Sequence, residues 1–299
     1  MSTRSLRVWG IIAAGALSAA SLSACADNSN SEGSVSSSSA SVQQDESLAS
    51  LVPDEIAGRG TLKVGTDATY APNEFRNDND EIVGFDIDLF NAVSEKLGLT
   101  AEYEGSTFEN IIPGVQNGSY DVGVSSFTDN PEREQVVDMV TYLQAGTQWA
   151  QAADGDVDPD RPCGRSIAVQ TGTVQLEDIT ARSEKCTADG DEAVKILQFD
   201  DQGQATNAVA VGQADAVLAD SPVVAYAVQQ SNDALELVGD VYDAAPYGYV
   251  VAKNGGLAEA LRAAVQSLID DGTYADILKK WTLDGGAIDT SEINGASGS

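Results

Sequence analysis

From Leu62 onward, short apolar runs alternate with stretches whose apolar positions recur every three to four residues. That alternation marks an α/β architecture, with helices packed on a sheet. Leu62 to Thr66 reads as the first strand. Asp86 to Leu97 places Leu89, Phe90, Val93 and Leu97 on one helical face and stops at Gly98. Glu109 to Asn117 reads as a second helix, with Ile111, Ile112 and Val115 inward and Pro113 expected to kink it or delay its start. Val122 to Val124 is a further strand. Beyond Trp149, an acidic stretch from Asp154 to Pro162 leads into a second series. Its strands are Ile167 to Val169, Ile196 to Phe199 and Ala216 to Leu218, and Ser221 reads as a helix cap before Pro222. A strand over Gly248 to Ala252 and helices over Leu257 to Ile269 and Thr273 to Trp281 follow. Residues 285–299 read as a flexible tail.

The chain of 299 residues is long enough for two ordinary domains. Its net charge of −31 disfavours nucleic acid and anionic membrane surfaces as partners. It contains no histidine, which removes histidine acid–base catalysis, Ser-His triads and the commonest zinc ligand. Asp154, Asp156 and Asp158 alternate as in a calcium loop, but the glycine is misplaced and no closing glutamate follows. That stretch reads as a solvated turn, and no metal or cofactor is expected.

Arg4 and Arg7 precede an apolar stretch, Val8 to Leu22, too short and too weakly apolar for a good membrane span. Leu22-Ser23-Ala24-Cys25 resembles the lipobox of bacterial lipoproteins, so residues 1–24 read as a signal peptide and Cys25 as the lipidated residue; an ordinary cleaved secretory signal is the alternative. Ala26 to Ser47 holds nine serines in 22 residues. Residues 25–50 are therefore expected to be a flexible tether, with a reach of about 25 Å. Cys163 and Cys186, in an exported chain, most simply form a disulfide.

Ligands of open α/β sheets bind outside the carboxyl ends of the strands. Four polar groups fall there: Asp67, Ser125 with Ser126, Gln170-Thr171-Gly172, and Asp220. Two belong to the first series and two to the second, so a cleft between two domains would bring them together. Thr128 and Arg133 lie just beyond Ser126, and arginine grips a planar anion with two parallel hydrogen bonds. The plainer reading of Asp121 to Arg133 is a strand and polar turn, with Arg133 in a surface ion pair. Tyr70 and Phe108 offer flat apolar walls or core packing, and Asp67 or Asp220 equally suits a helix cap.

The segments Gly65 to Pro72, Gly84 to Leu89, Ile112-Pro113, Asp121 to Arg133, Val169 to Thr173 and Asp215 to Asp220 together resemble the amino-acid-binding proteins of ABC importers, family 3 of the solute-binding proteins. The resemblance spans roughly Gly60 to Trp281. It implies a two-lobed periplasmic-binding-protein type II fold, each lobe a central sheet flanked by helices, joined by two hinge strands. Lobe 1 would comprise 56–145 plus 246–284, and lobe 2 the inserted 146–245. It further implies that Ser126, Thr128 and Arg133, with a backbone N–H near Val174 after the Gly172 turn, bind an α-carboxylate. Asp220 would bind the α-ammonium group. Tyr70 and Phe108 would sandwich the side chain, and Asp67, Gln170 and Gln175 would surround its tip. Many relatives carry an aromatic residue after Ala-Pro where this chain has Asn73, with Phe75 two residues on.

These readings describe a monomeric, lipid-anchored receptor on the outer face of the cell membrane that delivers a free amino acid to an ABC permease. One site carboxylate is left over once the ligand's own backbone charges are paired, which favours a basic side chain, with a glutamine-like one second. Rival readings are a cyclohexadienyl dehydratase-like enzyme on the same fold and a stand-alone sensor.

Overall fold

The structure, a computed structural model, describes residues 42–298. The expected signal peptide and Cys25 lie outside the described residues.

The expected tether is shorter than its composition suggests. Glu46–Ala49 form a short helix, α1, opened by Asp45, whose carboxylate accepts from the N–H groups of Ser47 and Leu48. The Asp45 N–H donates to the Lys96 carbonyl at 2.9 Å, and Val42 and Leu48 pack against the first-lobe core. A local cap and two apolar contacts are enough to dock this segment despite its polarity. Helix α2, Asp54–Arg59, then ends on Gly60 in the left-handed region, φ 74°.

Strand β1 (Thr61–Thr66) leads to three short strands, β2 (Thr69–Tyr70), β3 (Glu74–Arg76) and β4 (Ile82–Val83), which form a small antiparallel sheet of their own. Helix α3 (Phe85–Lys96), strand β5 (Thr100–Gly105), helix α4 (Phe108–Gln116) and strand β6 (Val122–Gly123) follow. Pro113 lies inside α4 and does not delay its start. A long strand, β7 (Val137–Ala152), then leaves the first lobe. The second lobe adds β8 (Ser166–Gln170), α5 (Val174–Ala188), β9 (Lys195–Phe199), α6 (Gln202–Ala210), β10 (Ala216–Asp220) and α7 (Ser221–Gln230). Strand β11 (Leu235–Ala252) returns the chain to the first lobe, where α8 (Leu257–Asp271) and α9 (Thr273–Trp281) pack.

Among the described residues, eight strands join in the order β5-β1-β6-β11-β7-β10-β8-β9. The outer strands of each lobe are parallel, while β7 and β11 pair antiparallel from Val137 opposite Ala252 to Ala152 opposite Leu235. Their register shifts between Val238 and Tyr242, between Tyr242 and Ala245, and between Tyr247 and Gly248.

Strand β10 is buried on both faces, as parallel central strands are. Ala216 and Leu218 face Trp149, Ile167 and Ile179, whereas Val217 and Ala219 face Ala205, Val209 and Val224. Cys163 and Cys186 are joined as expected, the bridge tying the end of α5 to the loop before β8.

The C-terminal expectation is corrected. Residues 288–296 form no flexible tail but run beside β7, with Ser291 fully buried and Ile293 bridged to Val140. Their attachment combines main-chain bonds to β7, hydrogen bonds of the Ser291 and Asn294 side chains, and packing of Ile288 and Ile293, a mixture that leaves no apolar period in the sequence.

Candidate functional site

Asp67 follows β1 directly, and its carboxylate accepts from the Phe108 N–H at 3.2 Å at the start of α4. Its own N–H donates to Ser125 Oγ at 3.0 Å. Burial lifts the Asp67 carboxyl to about 6, while hydrogen bonds from Thr69, Gln170 and Phe108 oppose that rise. The loop after β6 carries Ser125, Ser126, Thr128 and Arg133. Two main-chain bonds pin it to β11: the Asp129 N–H to the Pro246 carbonyl at 2.7 Å, and the Gly248 N–H to the Phe127 carbonyl at 2.8 Å.

Beneath this loop lie two acidic residues that the sequence reading did not single out. Glu74 and Asp86 are both fully buried. Ser125 Oγ donates to Glu74 Oε1 at 3.0 Å, and Ser126 Oγ lies 3.1 Å from Glu74 Oε2 and 3.2 Å from Asp86 Oδ2. The Ser126 N–H and the Tyr142 hydroxyl also donate to Asp86, at 2.9 and 2.7 Å. Burial raises both carboxyls, Asp86 to about 6 and Glu74 well above its ordinary value, with Asp86's charge the next cause for Glu74. Two carboxyls sharing a buried site hold a proton between them.

Ser126 therefore differs from its expected role. Its backbone is left-handed, φ 52°, and its hydroxyl also accepts from Asn73 Nδ2 at 2.9 Å. Both its N–H and its hydroxyl are engaged with the acidic pair, so they support the loop from below rather than presenting a ready donor to a carboxylate. Asn73, where an aromatic was expected, is fully buried and serves the same support.

Arg133 donates from Nη1 to the Thr128 carbonyl at 2.8 Å. Its guanidinium lies 5.6 Å from the Phe108 ring centre and 5.4 Å from that of Phe127, and these two rings stack at 4.4 Å. Two aromatic faces thus hold the cation in place. Burial lowers its proton affinity, which Glu177, Asp220 and Asp129 oppose.

The second lobe brings two strand ends and one helix N-terminus to the same place. Gln170 ends β8, and its Nε2 donates across the cleft to Asp67 at 2.6 Å. Thr173 caps α5, accepting from the Leu176 N–H, so Val174 and Gln175 form the first turn of that helix. A helix N-terminus favours an anion. Asp220 ends β10 and occupies the cap position of α7, so Ser221 is the first helical residue rather than the expected cap. The Asp220 carboxylate gives α7 no cap bond. Instead it accepts from Tyr70 Oη at 2.9 Å and Gln175 Nε2 at 2.8 Å. Burial raises it, and the hydrogen bonds from Tyr70 and Gln175 oppose the rise.

Asp67, Tyr70, Phe108, Ser125, Ser126, Thr128 and Arg133 from the first lobe face Gln170, Thr173, Val174, Gln175 and Asp220 from the second around one small cavity. Eleven of the residues expected from the sequence line it. Gly172 does not; its carbonyl instead accepts from Arg133 Nη2 at 3.2 Å, a contact between lobes. Thr173 was missed, although its place between the Gly172 turn and a helix marked it as a cap. Chemically, the cavity offers one guanidinium, two carboxylates on its other sides, a helix N-terminus and two aromatic walls. That set suits a zwitterion. Among the described residues no acidic or sulfur cluster suited to a metal ion occurs.

Comparison with known proteins gives a consistent result. The family model described as "Bacterial extracellular solute-binding proteins, family 3" matches residues 62–284. The chain is 40% identical over 250 residues to the Arginine-binding protein ArgT of Corynebacterium glutamicum, covering 83% of this chain and 82% of that protein. Among solved structures, an ancestral arginine-binding protein bound to arginine superposes with a TM-score of 0.70 at 34% identity, covering 75% of this chain and 98% of that one. An ancestral arginine-binding protein bound to glutamine gives 0.69 at 34% identity, with the same coverage.

Proposed function

The chain belongs to the bacterial extracellular solute-binding proteins of family 3, and from that premise we propose that it captures a basic L-amino acid, arginine above others, between its two lobes. It is an extracytoplasmic amino-acid receptor of an ABC importer and not an enzyme. The dehydratase alternative is not favoured, since the relatives are binding proteins.

One observation carries the choice of ligand: the cavity sets Arg133 against two buried carboxylates, Asp67 and Asp220. In this reading Arg133, Thr128 and the first turn of α5 take the α-carboxylate, and Asp220 takes the α-ammonium group. Asp67 is then unmatched unless the side chain is cationic. Buried charges without a partner are costly, so the surplus carboxylate selects for a guanidinium or ammonium tip. Tyr70 and Phe108 flank the aliphatic stem, and Gln170 and Gln175 complete the polar lining. The structures of related proteins with arginine and with glutamine support a basic ligand first and a polar one second.

In the same reading the hinge lies at 145–146 and 245–246, where β7 and β11 change lobes. A lipid on Cys25 anchors the chain to the outer membrane face. The ABC permease receives the closed, loaded form.

The test is calorimetric titration of the mature chain from Ala26, stripped of bound ligand by unfolding and refolding, with the common amino acids. Tight binding of arginine, lost in Arg133→Ala and sharply weakened in Asp67→Asn, is expected. Arginine binding that survives both substitutions would remove this assignment of the site.

A further inference from the structure

The match to the family ends at residue 284, yet the chain continues for a further stretch against the first lobe. Ser291 Oγ donates to the Thr141 carbonyl at 2.7 Å, and the Thr141 N–H donates to the Glu292 carbonyl at 2.9 Å. Asn294 pairs with Met139 twice: its N–H reaches the Met139 carbonyl at 2.8 Å, and its Oδ1 accepts from the Met139 N–H at 3.0 Å. Its Nδ2 donates to Asp138 at 3.0 Å. The left-handed backbone of Asn294, φ 59°, then turns the chain off β7.

That turn delivers two N–H groups to the loop that bears Arg133. The Gly295 N–H donates to Asp129 Oδ2 at 2.8 Å, and the Ala296 N–H donates to Glu134 Oε1 at 3.0 Å. Asp129 follows Thr128 and Glu134 follows Arg133, so both acceptors stand next to candidate ligand residues. Both are nearly fully buried, at 1% and 5% exposure. The Asp129 carboxyl is raised to about 7, by burial first and by Glu134 next. Two buried carboxyls in contact need donors to stay together, and the C-terminal segment supplies them. Space there is tight, since a Cβ on Gly295 would lie 3.0 Å from Thr141 Cγ2.

We propose that residues 288–296 are a strap that positions Thr128 and Arg133 for the ligand carboxylate by clamping Asp129 and Glu134. The strap acts through these residues and touches no ligand itself. It rests on the reading of Arg133 and Thr128 as the carboxylate site. Only the carboxylate end of the ligand should feel its loss, because Asp67 and Asp220 are held by other elements.

The test compares the mature chain with a variant ending at Ala287, titrated with L-arginine and with agmatine, its decarboxylated analogue. Hydrogen exchange of amides 127–136 is followed without ligand. Expected are faster exchange in that loop and arginine affinity about tenfold weaker, the size of one lost hydrogen bond to a charged group, with agmatine affinity unchanged. Unchanged arginine affinity and exchange overturn the proposal, as does an equal loss for both ligands, which would mean general loosening of the lobe. Should the shortened chain fail to fold, Asn294→Ala, which removes the side-chain bonds to Met139 and Asp138, and Ala296→Pro, which removes the N–H donated to Glu134, carry the same comparison. Arg133→Ala is run in parallel. If it leaves arginine binding intact, the carboxylate assignment fails, while the exchange result still decides whether the strap orders the loop.

Discussion

Arg133 and Gly172 lie 39 positions apart and on opposite lobes, yet the guanidinium of one donates to the carbonyl of the other at 3.2 Å. Gly172 adopts φ 79°, and a Cβ placed on it would stand 3.0 Å from Glu109 Cβ. The residue that greets Arg133 must therefore be small as well as left-handed.

Gly172→Ala is expected to weaken ligand binding about tenfold, or about 1.4 kcal/mol. The added methyl meets α4 only when the lobes are closed, so the unliganded protein should be affected less. Calorimetry of binding and melting of the free protein separate the two. An affinity equal to the parent's would show that closure is looser here than the contact implies.

The pH dependence of binding distinguishes the two ligand classes. Asp67 has its carboxyl raised to about 6 by burial, and a cationic side chain needs it ionised. Its ionised fraction falls about tenfold between pH 7 and pH 5, and apparent affinity for arginine should fall by the same factor from this group alone. Glutamine, whose tip carries no charge, should show a flatter profile. Titrations at pH 5, 6 and 7 decide between them.

The unliganded protein should be more stable at pH 5 than at pH 7.5. Asp129 is raised to about 7 and Asp67 and Asp86 to about 6, chiefly by burial, against an ordinary 3.8. The native state therefore binds more protons than the unfolded chain across that window, and stability falls as pH rises through these values. The excess negative charge of the chain acts in the same direction. Below about pH 4 the sign reverses, since Asp138 and Asp271, held low by their partners, lose their hydrogen-bonded charge. Melting temperatures across pH 3 to 8 should pass through a maximum on the acidic side of neutrality.

Replacing Cys163 and Cys186 together by serine should cost about 3 kcal/mol, because the bridge closes a loop of 23 residues. The loss belongs to the second lobe, so binding well below the melting temperature should change little. Denaturant unfolding with and without reductant measures it.

Much of the site was legible because its residues sit at strand ends. Asp67, Ser125, Gln170 and Asp220 each follow an apolar run, and two of the runs lie in each half of the chain. Glu74 and Asp86 were not legible. An acid opening a helix reads as a favourable end charge, and nothing local says that both carboxyls will be buried beneath Ser126. The docked termini were hidden for a different reason. Val42 to Ala49 is held by a cap and two apolar side chains, and the strap by scattered main-chain and side-chain bonds to β7 with two isolated isoleucines. Composition registers neither. Asp220 shows the converse: its position marks a helix cap, and only its partners reveal that the carboxylate turns towards Tyr70 and Gln175 instead.

The paired run of β7 and β11 through both lobes also fixes how the halves are free to move. One connecting strand would act as a swivel and leave the lobes several independent rotations. Two strands zipped side by side make a flat ribbon, stiff within its plane and compliant across it. Such a ribbon leaves the lobes chiefly a swing about a single axis, and the register breaks between Val238 and Gly248 soften it. Under the proposed reading, capture then requires no search over relative orientations: with Arg133 on one end of a ligand, a single angle would bring Asp220 to the other.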